Sequence, residues 1–336
     1  MTERLLFPPP ITASPFRTPL AVDTWDAHFR WREDGRLRDV TVDATWQRVA
    51  RVLAGGSLPL ERELLDALAG WSLLPDPVLL ANAGTGKSCT LVAPTASINL
   101  AAFVNAPQGM AASLDRTRLG EVAALAVRAL TRASPSSQSL RIGVLGFGDA
   151  LELLHADFGS AQACALARDI AQTLWCSAVE ASADLVRNGA ASYWPGDEWL
   201  LRARALGLAE PVLERIRTGG MRHARLCAIT SQPLLSRFAN CIGDALDPSG
   251  LRCEAQRCRV DGHPRNDAIC HRRTKTPGGS DGVAAQLRIR AAMQPWMDEP
   301  IEYPLATREN FDETLQQQWR DIARHHALGD LAIEKI

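Results

Sequence analysis

No stretch of this chain reaches the roughly 18 consecutive apolar residues that a membrane-spanning helix needs. Its opening, Met1-Thr-Glu-Arg-Leu-Leu-Phe-Pro-Pro-Pro10, lacks the charged-then-apolar order of a signal peptide. Net charge is missing too. The formal value is −1 over 336 residues, so no global field draws in nucleic acid or acidic lipid. Lysine is scarce: positions 87, 275 and 335 hold all three, leaving 34 arginines among 37 basic residues. That is a compositional bias and points to no activity. No internal repeat is present. What remains is a chain that can bury a sizeable core in one large or two modest domains, with a cytoplasmic location expected.

Eight cysteines (89, 164, 176, 227, 241, 253, 258 and 270) are spread through apolar segments. Without a secretion signal, this is the pattern of reduced thiols, most of them small core residues. His155 and the pair His325-His326 have no partners at ligand spacing, so they read as satisfied histidines. The nine tryptophans are scattered from Trp25 to Trp319 and read as core and interface anchors. Residues 252–275 stand apart: seven basic side chains meet three acids, with Cys253, Cys258, His263, Cys270 and His271 interleaved. Cys-x4-Cys and the irregular remainder match no common zinc-finger spacing. The expectation there is a solvated basic loop, with no metal and no strong claim on polyanions.

Apolar spacing places the elements. Asp43 is expected to cap a helix carrying Trp46, Val49, Ala50 and Leu53, stopped by Gly55-Gly56. Leu60, Leu64, Leu65 and Leu68 form a second stripe, and Leu119, Val122, Ala126 and Ala129 a third. Ile142 to Phe147 is a short buried strand. A long helix with Leu166, Ile170, Leu174, Ala178, Ala181 and Leu185 follows, capped by Ser160. Leu226 to Ile229 is a candidate strand, and Phe311, Leu315, Trp319, Ile322 and His326 mark a last helix. Residues 1–20, rich in proline, read as an extended arm. Strands alternating with helices argue an α/β architecture.

Residues 82–104 admit two chemistries. Ala81, four residues, then Gly86-Lys87-Ser88 could be a phosphate loop, with Pro77-Val-Leu-Leu-Ala81 as its strand. The helix that must follow fails, because Pro94 lies seven residues after Lys87 and proline breaks a helix interior. The other reading rests on several blocks in order. They are Trp25-Asp-Ala-His-Phe-Arg-Trp31, Leu74-Pro-Asp-Pro-Val-Leu-Leu-Ala-Asn82-Ala-Gly-Thr85, Ser88-Cys89 and Ser97-Ile-Asn-Leu-Ala-Ala-Phe-Val104. Arg141-Ile-Gly-Val-Leu-Gly-Phe-Gly-Asp149 is the most specific, followed by Phe158-Gly-Ser160, Gly220-Met-Arg222-His-Ala and Ala292-Met-Gln-Pro-Trp296. Together these resemble the large chain of ribonucleotide reductases, of the cobalamin-dependent (class II) type, shortened and divergent.

The resemblance implies a reduced, incomplete reductase-type α/β barrel over 76–305, preceded by an N-terminal arm and helical region over 1–75 and followed by a helix over 306–336. It implies adenosylcobalamin as cofactor and Cys89 as a redox cysteine. Ser88, Thr230 and Ser231 are its implied substrate-binding residues, the last two in Ala228-Ile-Thr230-Ser231-Gln-Pro233, where the family grips phosphate. Residue by residue, much of the chemistry is missing. No Asn-x-Cys-x-Glu loop precedes Ser97, Ala93 stands where a second redox cysteine is expected, and no terminal cysteine pair follows. A disulfide-forming reduction needs two thiols in reach. Strands lost between Cys89 and Ser97 would leave open edges that call for dimerisation or a partner chain. Two functions of different class follow. One is a divergent reductase chain making deoxyribonucleotides, alone or by complementation with another polypeptide; the other is a non-catalytic, reductase-like nucleotide- or partner-binding protein.

Overall fold

The computed structural model describes residues 15–106, 111–249, 278–329 and 331–335. Thr18 opens the first helix, α1 (Pro19–His28): its hydroxyl accepts the Ala21 N–H, and Pro19 occupies a first-turn position, where its missing donor is not needed. The expected arm therefore gives way to helix at residue 19. A small hairpin follows, β1 (Arg32–Glu33) with β2 (Arg36–Leu37). Next come α2 (Val42–Ala54) and α3 (Leu58–Ala69), with the expected apolar stripes facing inward. Thr41, not Asp43, is the N-cap of α2; Asp43 sits in its first turn, where a carboxylate still suits the positive helix end. Gly55, at φ 53°, ends α2 as a left-handed cap.

The central sheet is built from β3 (Leu73–Pro75), β4 (Thr95–Asn99), β7 (Ser139–Leu145) and β8 (Arg225–Cys227), in that order. β4, β7 and β8 are parallel, while β3 runs antiparallel to β4. Between β3 and β4 lies α4 (Pro77–Asn82). Between β4 and β7 run the minor pair β5 (Val104–Asn105) and β6 (Ser113–Leu114), then α5 (Arg116–Ala133). α6 (Phe147–Leu153), α7 (Ala161–Arg187), α8 (Asp197–Ala205) and α9 (Glu210–Gly219) connect β7 to β8. The last described elements are α10 (Pro233–Phe238), α11 (Gly279–Met293), β9 (Leu305–Thr307), α12 (Glu313–His325) and β10 (Ile333–Lys335). β9 and β10 pair with each other. Ser160 caps α7 as expected, accepting the Ala163 N–H at 3.1 Å.

Among the described residues the sheet is open, with four strands and no barrel closure. Its edges are nevertheless covered. The Asp298 carboxylate accepts the N–H groups of Leu226 (2.7 Å) and Cys227 (3.0 Å). The Asp298 N–H returns a bond to the Cys227 carbonyl at 2.9 Å. At the opposite edge, β3 is three residues long and wholly buried. Short and covered edges resist pairing with another chain.

Candidate functional site

Ligands of parallel α/β sheets gather beyond the carboxyl ends of the strands. Here that rim is formed by Asn99 at the end of β4, Gly146 after β7, and the 228–249 segment after β8. Gly146 takes φ 68°, and a Cβ there would lie 2.9 Å from the Asn99 side-chain oxygen. A Cβ on Gly148 would lie 2.3 Å from the Ser249 nitrogen and 2.6 Å from the Asp247 carbonyl oxygen. The segment 243–249 is therefore pressed backbone-to-backbone onto the start of α6. Asp149, nearly buried, ties it down by accepting the Gly243 N–H (2.7 Å) and the Ser249 hydroxyl (3.1 Å). The Gly146 N–H adds a bond to the Gly243 carbonyl at 2.8 Å. The block Gly146-Phe-Gly-Asp149, distinctive in the sequence, is thus an anchor for the rim loop.

That loop holds unusual backbone. Asn240 (φ 65°), Cys241 (φ 62°) and Ala245 (φ 47°) all sit in the left-handed region, a conformation that costs on the order of 1–3 kcal/mol per non-glycine residue and gathers at ligand clamps and switches. The segment before α1 holds one end: Asn240 Oδ1 accepts the Arg17 N–H at 2.6 Å, and its amide donates to the Pro15 carbonyl at 3.3 Å. Cys241 Sγ lies 3.6 Å from the Thr18 hydroxyl and is 5% exposed. The other end rests on Tyr303, whose hydroxyl accepts the Leu246 N–H at 3.0 Å. Burial pushes the Tyr303 hydroxyl pKa well up, so it stays neutral. Arg290 covers that ring at 3.7 Å and lies 3.7 Å from Asp247.

Thr230 and Ser231 lie on this rim. The Ser231 hydroxyl donates to one oxygen of Asp244, and the Gln232 N–H donates to the other at 2.6 Å. Thr230 Oγ1 accepts from the Gln232 amide at 3.0 Å. Of the two hydroxyls expected to hold a substrate phosphate, that of Ser231 is engaged by a carboxylate of the chain itself.

Ser88 and Cys89 lie elsewhere. They precede β4, in a loop whose Leu91 and Val92 carbonyls accept Ser134 and Ser137 hydroxyls before β7 begins. This is the amino-end rim of the parallel strands. The five residues of β4 separate it from Thr230 and Ser231 by about 15 Å. The apolar strand expected directly after Cys89 begins only at Thr95. Ser88 Oγ pairs with Thr90 Oγ1 at 3.0 Å, and Cys89 Sγ lies 3.9 Å from the Lys87 carbonyl. Burial raises the Cys89 pKa, Asp76 adds to the rise and Arg48 opposes it, which favours thiol over reactive thiolate. No disulfide joins any two of the described cysteines 89, 164, 176, 227 and 241. The phosphate-loop geometry fails at both ends: Pro77–Asn82 is helix rather than strand, with Asp76 accepting the Val78 N–H as its cap, and no helix follows Ser88.

Three parallel strands joined by helical crossovers, with the rim loop beyond their carboxyl ends, set the frame for comparison. Residues 81–233 match the family model of the ribonucleotide reductase barrel domain. The match takes in both Ser88-Cys89 and Thr230-Ser231, and ends at the first residue of α10. No curated protein matches the chain. Within the matched segment, His223 is fully buried between Ser182 (3.0 Å) and Thr131 (3.3 Å). Burial, reinforced by Arg222, lowers its pKa to about 3, so it is a neutral core group. Among the described residues no three histidine, cysteine or acidic side chains are placed to hold a metal ion, and no helix is long and apolar enough to cross a membrane. The cysteine- and arginine-rich segment 252–275 lies outside the described residues.

Proposed function

We propose that this chain is a ribonucleotide-reductase-like protein that does not itself reduce ribonucleotides and acts by binding a nucleotide or a partner chain. The observation that carries this reading is Asp244. Its carboxylate occupies the Ser231 hydroxyl and the Gln232 N–H, and adds a negative charge where a substrate phosphate would have to sit. Descent from the adenosylcobalamin-dependent type is part of the proposal and rests on the sequence blocks. The described residues do not fit that cofactor's chemistry. It supplies a radical that must reach a thiol facing substrate, whereas Cys241 on the rim is closed against Thr18 and Cys227 is fully buried in β8. Cys89 stands at the other rim. The partner would be a second copy or a complementing reductase chain, in a cytoplasmic setting.

A second reading, the family's own reduction of ribonucleotides to deoxyribonucleotides for DNA synthesis, is favoured by one observation. The barrel-domain match spans both Cys89 and the Thr230-Ser231 segment, so a complementing chain could supply what is missing. One assay tests the first reading. The purified chain, given adenosylcobalamin, a dithiol and all four ribonucleotides, is expected to show no turnover above its Cys89→Ser variant. Turnover exceeding that control overturns the first reading in favour of the second.

A further inference from the structure

We propose that the cavity between the β1–β2 hairpin, α2 and the Gly84 turn binds a nucleoside monophosphate. For its ligand class this rests on the nucleotide-binding reading above; the site itself stands on its own geometry. The cavity encloses about 260 Å³, at the small end of ligand sites, which run from roughly 300 to 1,000 Å³. That size suits one nucleotide unit and excludes a dinucleotide.

Its walls are preformed. Gly84 takes φ 75°, and a Cβ there would meet Arg48 Cγ at 2.9 Å and Val52 Cγ2 at 3.3 Å, so the turn presses directly on α2. The floor is Arg48, 8% exposed. Asp39 holds its guanidinium at 2.8 Å, and the carbonyl oxygens of Ala83, Leu80 and Phe29 take further N–H groups. Arg48 and Asp39 neutralise each other, which leaves Arg38 and Arg51 to set the sign of the cavity. Arg38 binds Glu33 through one side of its fork. Arg51 is freer: its ion pair with Glu61 spans 3.8 Å and its side chain is 73% exposed. An exposed guanidinium held only by a long ion pair, beside a second arginine, can turn to a phosphate. Trp31 supplies the other half of the ligand's chemistry. Its half-buried indole lines the cavity with the Arg38 guanidinium 6.0 Å from the ring centroid. A cation over an aromatic plate favours a stacked base carrying a nearby anion. The exposed Gln47 amide on α2 offers both donor and acceptor to a base edge.

Calorimetry and tryptophan fluorescence on the purified full chain, titrated with AMP, CMP, GMP and UMP, test the site, with adenosine and inorganic phosphate as separate arms. At least one monophosphate is expected to saturate, more tightly than adenosine or phosphate alone. Its fluorescence response should vanish in Trp31→Phe. Arg51→Glu should weaken binding at least tenfold, about 1.4 kcal/mol, and Arg51→Lys less. Circular dichroism and the unfolding midpoint of each variant confirm that it is folded. If the glutamate variant does not fold, the Trp31→Phe and Arg51→Lys titrations decide. No saturation at millimolar concentration, binding unchanged by both the Trp31 and Arg51 substitutions, or phosphate binding as tightly as every monophosphate would each overturn the proposal. Reductase turnover would overturn the non-catalytic reading and leave this test untouched.

Discussion

His223 has no exposed surface, and both its ring nitrogens face hydroxyls, Ser182 on one side and Thr131 on the other. Its pKa near 3 in the folded chain lies below its ordinary 6.5. The unfolded chain therefore takes the proton first as pH falls. Between about 6.5 and 3, folding stability should decline with falling pH by about 1.4 kcal/mol per unit from this group alone, and above 6.5 the group adds no slope. Urea midpoints at pH 7 and pH 4.5, compared between the native chain and His223→Gln, read this directly: the native chain should lose more. Equal losses would mean that His223 is charged in the fold. The sequence block Gly220-Met-Arg222-His-Ala marked this histidine without showing its neutrality, which comes from its burial and from the neighbouring Arg222. Thr230 and Ser231 teach the same point. Hydroxyls that could grip an anion were legible, but the carboxylate that takes the Ser231 hydroxyl, Asp244, lies 13 residues further on, beyond the left-handed turn at Asn240–Cys241.

Elements were the most legible scale wherever one cap or one stripe decided the outcome. Ser160 and the 3.6-residue spacing of Leu166 to Leu185 specify α7, and Gly55 stops α2. Pro77 to Ala81 reads equally well as strand or helix, being short and apolar. What settles it is Asp76, whose carboxylate caps the helix at Val78 and also accepts from Thr95 at 2.8 Å, a tertiary contact invisible in the local pattern. The join between β7 and α6 supplies a sharper test. At Gly148 the rim loop comes so close that any Cβ meets the backbone of Asp247, Pro248 and Ser249 rather than a yielding side-chain end. Gly148→Ala should therefore destabilise the chain by about 1–3 kcal/mol, the usual cost of overpacking. It should also speed hydrogen exchange at the Gly243 amide, now bound to Asp149. An alanine variant with native midpoint and native exchange would show that the loop retreats without cost, and would remove Gly148 as the reason for its position.

The molecule as a whole hangs on one continuous core that runs from Trp25 on α1, through the sheet, to Leu331. The blocks in the sequence led to the expectation of a shortened barrel; among the described residues the sheet is open, with four strands. They could not convey how the edge is closed, because Asp298 lies some 70 residues beyond the strand it covers. Nor could they show that the N-terminal helical region is bound into the same unit. β3, inside residues 1–75, is a strand of the central sheet, and Arg48 on α2 reaches the carbonyls of Phe29, Leu80 and Ala83 while pairing with buried Asp39. From those contacts we expect the helical region and the sheet to unfold as one cooperative unit. In a denaturant titration, far-ultraviolet dichroism and tryptophan fluorescence should lose signal together, in one transition. Arg48→Ala leaves the Asp39 carboxylate, 2% exposed, without its counter-charge, a change that typically costs 3–5 kcal/mol. Both probes should shift by the same amount, because the pair sits at the junction and not within one half. Two separated transitions, or an Arg48→Ala shift confined to one of them, would show instead that the helical region folds apart from the sheet, with Arg48 fastening only the former.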